Sequence, residues 1–158
     1  MQQLEVTTGN CFADHDTVHA GITVDRGAAL QLTNSTVDGG IVANNALDFD
    51  LNNSVINGGV SIAGPGSGID NPTLCDLDIH GGVTLTNVTN YGAGGVGIGG
   101  DNIGIPCSGN RIDGSVTINN SAVADLFNTT INGSLLCING GVVSNHAGDS
   151  ITGSNSCF

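Results

Sequence analysis

The sequence predicts an all-β chain: a single-stranded parallel β-helix, or β-solenoid, of about seven coils with a repeat of roughly 19 residues. Three observations predict it. A short motif recurs seven times along the 158 residues. Apolar and polar residues alternate with period two inside and between the copies. Glycine is abundant at 26 residues, Trp is absent and aromatics are only 3%, which suits a narrow core of Val, Ile and Leu filled layer by layer.

The motif is a branched aliphatic, any residue, two small residues, then aliphatic-x-aliphatic. It reads Val18-His-Ala-Gly-Ile22-Thr-Val24, then Val37-Asp-Gly-Gly-Ile41-Val-Ala43, then Ile56-Asn-Gly-Gly-Val60-Ser-Ile62. Ile79-His-Gly-Gly-Val83-Thr-Leu85, Ile112-Asp-Gly-Ser-Val116-Thr-Ile118 and Ile131-Asn-Gly-Ser-Leu135-Leu-Cys137 follow, and Ile151-Thr-Gly-Ser-Asn155-Ser-Cys157 is a worn last copy. The openings at 18, 37, 56, 79, 112, 131 and 151 are separated by 19, 19, 23, 33, 19 and 20 positions. A fixed period of this size marks a repeat architecture, in which one unit cannot bury its apolar face alone but stacked units can.

A further strand lies between copies. Leu30-Gln-Leu32, Phe49-Asp-Leu51 and Ala124-Asp-Leu126 end five residues before the next opening, and Leu74 and Cys107 hold the same place ahead of Ile79 and Ile112. The corners follow. Asn34-Ser35-Thr36, Asn53-Ser54 and Asn128-Thr129 supply Asn, which tolerates left-handed backbone, and Ser or Thr able to bond along the stack. The Gly-Gly or Gly-Ser pair marks a corner with no room for a large side chain. Inward rows are expected from Val18, Ile22, Val24, Leu30, Leu32, Val37, Phe49, Leu51, Ile56, Ile62, Ile79, Val83, Leu85, Ile112, Val116, Ile118, Leu126 and Ile131.

Coils about 4.8 Å apart make a rod about 30 Å long. The uneven intervals favour the right-handed form over the strict hexapeptide triangle. Residues 1–16 are expected to cap one end of this single domain, with coils over 17–157. Two coils carry insertions, at 65–71 and at 87–110, and insertions on a regular solenoid protrude, often from the working face. Tyr91, Asp101 and Asn102 are the candidates for a binding loop there. Gly95-Val-Gly97-Ile-Gly-Gly100 partly resembles a phosphate-cradling loop, but no helical pattern follows it, so it reads as part of the protrusion.

Charge excludes whole classes of partner. The two basic residues, Arg26 and Arg111, and a net charge of −12 leave no footprint for nucleic acid or an anionic membrane surface. No apolar run approaches the length of a membrane helix. Polar Gln2 and Gln3 after Met1 suggest a chain whose leader has been removed. The acidity itself reads as solubility for a surface of Asn, Ser, Thr and Gly, with cation binding as the alternative.

Cys137 and Cys157 share one motif position in consecutive copies, so they stack one coil apart, within reach of a disulfide. Cys75 and Cys107 bracket the long insertion and form the second expected pair. Cys11 is left over, as a free thiol or a link to a partner chain. Two bridges imply an oxidising compartment; the alternative is a reduced chain whose cysteines fill aliphatic slots. With no Cys-x-x-Cys motif, no structural zinc site is expected.

Several polar sets are candidates for chemistry. His19 and His80 share an outward position with Asp38, Asn57, Asp113, Asn132 and Thr152; three coils separate the two histidines, and His80 beside Asp113 is the plausible metal pair, with solvated polar residues the plainer reading. Asp48 with Asp50 and Asp76 with Asp78 alternate along strands, as glycosidase carboxylates or weak Ca²⁺ ligands would. The scarcity of aromatic platforms and the absence of Lys argue against sugar cleavage. The outward row Thr23, Val42, Ser61, Thr84, Thr117, Leu136, Ser156 is partly hydroxylated, as an ice-binding face would be, but never forms a doubled Thr-x-Thr array. No catalytic residue, bound metal or cofactor is expected.

The small pair before aliphatic-x-aliphatic, the segment Gly-Ala-Ala-Leu-Gln-Leu at 27–32 and the closing Gly-Ser-Leu-Leu-Cys at 133–137 resemble small secreted β-helix proteins common in actinobacteria. The resemblance spans roughly 18–157 and departs at 87–110. A weaker similarity is to bactofilins, whose coils polymerise end to end. Together these readings lead to the expectation of a non-catalytic, secreted or cell-surface β-helix that acts as a structural or surface-binding module. Its expected partners are a carbohydrate or protein surface, or further copies through end-to-end or side-by-side association. The rival functions are a polysaccharide-active enzyme and an ice-binding solenoid.

Overall fold

The computed structural model describes residues 4–64, 72–89, 95–99 and 107–158. They form a parallel β-solenoid of three seven-stranded sheets, with no helix among them. The first sheet stacks Leu4–Val6, Ile22–Val24, Ile41–Asn44, Val60–Ala63, Val83–Thr86, Val116–Asn119 and Leu135–Ile138. The second stacks Asn10–Asp14, Ala29–Thr33, Asp48–Asn52, Thr73–Cys75, Val96–Ile98, Ala122–Phe127 and Val142–Ala147. The third stacks two-residue strands: Thr17–Val18, Thr36–Val37, Val55–Ile56, Asp78–Ile79, Arg111–Ile112, Thr130–Ile131 and Ser150–Ile151. The motif's opening aliphatic is thus a strand of its own, set off by the glycine corner.

Parallel pairing in register turns each motif position into a row. Leu32, Leu51, Leu74, Ile98 and Leu126 stack in the second sheet. Val24, Ala43, Ile62, Leu85, Ile118 and Cys137 stack in the first. Val37, Ile56, Ile79, Ile112 and Ile131 stack in the third, each fully buried. Every expected core residue is buried except Val18, which is half-buried against the core. Val18 lies in the terminal strand of its sheet, with no further strand of that sheet beyond it among the described residues.

The corners explain the sequence's small and amide residues. Asn34, Asn53 and Asn128 hold left-handed backbone at φ 50°, 45° and 49°. Beneath them, the Ser54 hydroxyl accepts from the Ser35 amide at 3.0 Å and donates to the Asn52 carbonyl at 2.7 Å, satisfying groups that cannot reach water. At the glycine corner the backbones nearly touch: a Cβ on Gly58 would lie 2.5 Å from the Gly40 nitrogen.

Residues 4–14 form strands that pair in register with Ile22–Val24 and Ala29–Thr33, one more partial coil at this end of the rod. Two expectations are corrected. Within 87–110, Val96–Ile98 is no protrusion but a strand of the second sheet, because Val96 and Ile98 fill the interior at that level. Ile98 therefore takes the slot assigned to Cys107, which lies outside the strands. Tyr91, Asp101 and Asn102 lie outside the described residues.

Candidate functional site

Both disulfides form. Cys137 and Cys157 bridge adjacent coils at the end of the stack with Cα atoms 5.1 Å apart, and Cys75 joins Cys107 with Cα atoms 5.5 Å apart. Cys75 lies four residues before Ile79 and Cys107 five before Ile112, an offset that does not prevent the bridge because Cys107 stands off the strands. Cys11 is free and packs against the core. Two such bridges are those of a chain that matures under oxidising conditions. No helix among the described residues is long and apolar enough to cross a membrane.

The third sheet carries an outward array of polar groups. Its register places Asp78 beside Arg111, and the flanking ladder continues from His80 to Asp113. Adjacent members bond along the stack. His19 Nδ1 lies 2.8 Å from Asp38 Oδ2, Asn57 donates to Asp38 at 3.3 Å, and Asn132 donates to Asp113 at 2.8 Å. His19 and Asp38 therefore make a second His–Asp contact beside the one expected at His80. The Arg111 guanidinium donates to Asp113 at 2.6 Å. The Asn132 hydrogen bond, and after it the Arg111 charge, holds the Asp113 carboxyl below its ordinary pKa.

An open hollow runs along the neighbouring corner, lined by Asn53, Asp76, Asp78, Ser108, Arg111 and Asn128. Asp76 is at φ 54°, and its Oδ1 accepts from the amides of Ser108, at 2.5 Å, and Gly109, at 3.2 Å. That carboxylate pins the chain where it returns from the insertion, next to the Cys75–Cys107 bridge. Asp50 accepts from the Thr73 hydroxyl at 2.8 Å. In each expected carboxylate pair, one member thus serves as a tie between coils. The row from Thr23 to Leu136 is in register as expected, with Val42 and Leu136 interrupting its hydroxyls.

Asp78 and Arg111 join the expected pair of His80 and Asp113 as neighbours that the sequence did not plainly announce. The signal was present, since aligning Ile79 with Ile112 also aligns 78 with 111; the 33-residue interval concealed it. No family model matches the chain, and neither the curated proteins nor the solved structures include a match.

Proposed function

We propose that the chain is a non-catalytic structural module that works outside the cell, secreted or at the cell surface, and binds a polyhydroxylated surface through the third-sheet face. The observation that carries this reading is the hollow of Asn, Asp, Ser and Arg side chains set at the coil spacing on a scaffold closed by two disulfides. Amides and carboxylates at a fixed repeat suit the hydroxyls of a carbohydrate chain, and Arg111 adds a donor fork for an acidic sugar. A rigid backbone ladder loses little entropy when it binds. The resemblance to small secreted β-helix proteins supports the same location.

The test is retention on isolated cell-envelope polysaccharide and on a glycan array. Arg111→Ala, and Ser108→Arg to fill the hollow, should each abolish retention with the thermal midpoint unchanged. Retention by both variants, or release of new reducing ends from the polysaccharide by the purified protein, would overturn the proposal.

The ends of the rod support a second partner, another copy of the chain. Among the described residues, Asn10–Asp14 and Val142–Ala147 each leave one strand edge unpaired, and Phe12 on the first is 67% exposed. Light scattering across a concentration series checks this: self-association should weaken in Phe12→Asp.

A further inference from the structure

We infer that Asp78, His80 and Asp113 form a binding site for a divalent first-row transition metal such as Zn²⁺. The inference does not depend on carbohydrate binding. One ligand atom from each of the three residues lies within 4.8 Å of the others. Ligands about 2.1 Å from a tetrahedral ion sit about 3.4 Å apart, so side-chain rotations of roughly 1 Å close the site. His80 Nε2 and Asp78 Oδ2 already stand 3.5 Å apart.

The scaffold holds these groups firmly. Asp78 and Arg111 face each other in the third sheet, and the amide of Asp113 donates to the Ile79 carbonyl at 2.8 Å, so the three ligands come from two hydrogen-bonded coils. Asp78 Oδ1 is enclosed and accepts no hydrogen bond from the described residues. The side chain as a whole is 41% exposed, and its Oδ2 has His80 at 3.5 Å, long for a hydrogen bond. A cation shared with His80 and Asp113 would engage that oxygen. Both hydrogen bonds to Asp113, from Arg111 and Asn132, fall on Oδ1. They orient the carboxylate as outer-shell donors orient a metal ligand. One imidazole with two carboxylates suits a borderline ion, while Ca²⁺ wants six to eight oxygens. The protein's net charge of −12 favours any cation.

The test is calorimetric titration of the intact, oxidised protein with Zn²⁺, alongside NMR of the histidine rings. One saturable equivalent should bind and shift the His80 ring. His80→Ala and Asp113→Asn should each weaken binding at least tenfold, while His19→Ala leaves it unchanged and excess Ca²⁺ does not compete. All three positions are on the surface, so circular dichroism and urea midpoints should match the parent's. Absence of a saturable equivalent, binding that survives in His80→Ala, or an equal loss in His19→Ala would overturn the assignment.

Discussion

Truncating Leu85 to alanine tests whether the rod is held by its rows. Leu85 is fully buried in the first sheet, between Ile62 and Ile118 of the adjacent coils. Leu85→Ala deletes three carbons, about 2.4 kcal/mol at roughly 0.8 kcal/mol per buried carbon. A cavity term adds to this, because the ladders above and below fix the coil spacing and prevent collapse. The expected total is about 3–4 kcal/mol, within the range of buried leucine truncations. Ile138 is the control: it lies in the same sheet, in the last coil, and is 43% exposed. Ile138→Ala should cost under about 1 kcal/mol. Urea denaturation with the disulfides intact measures both, comparing midpoints at equal slopes. Equal losses in the two variants would refute the argument that interior stacking, rather than the backbone ladders, decides stability.

Three further outcomes follow from other parts of the molecule. Gly58→Ala should destabilise far more than Gly140→Ala in the same urea assay. The first forces a Cβ to 2.5 Å from the Gly40 nitrogen, whereas the second has open space and only the strain of φ 84°, about 1 kcal/mol. Cys157→Ser opens a loop with a sequence separation of 20, so about 3 kcal/mol should be lost, with amide exchange rising first over 150–157. Asp149 is held above its ordinary carboxyl pKa by burial, partly offset by the Thr129 amide, so its penalty is absent below the unfolded pKa and complete above the folded one. Stability from this group should therefore fall as pH rises through that window. Asp149→Asn should flatten that slope in thermal melts across acidic pH; an unchanged slope would exclude Asp149 as its source.

The coil was legible in the sequence because a solenoid is close to one-dimensional. Each residue's neighbours sit one repeat away, so the openings from Val18 to Ile151 name the stacked rows and the Cys137–Cys157 bridge directly. Glycine and asparagine marked the corners because few other residues fit a near-touching backbone or a left-handed turn. Tertiary structure decided what the broken period hid. Across the 33-residue interval, only burial of Val96 and Ile98 reveals which residues complete the coil and displace Cys107 from it. The same interval separates Asp78 and His80 from Arg111 and Asp113, and pairing of Ile79 with Ile112 brings them together. Outward side chains carry no apolar pattern to betray their partners. Their meeting is set by the register of the buried residues between them.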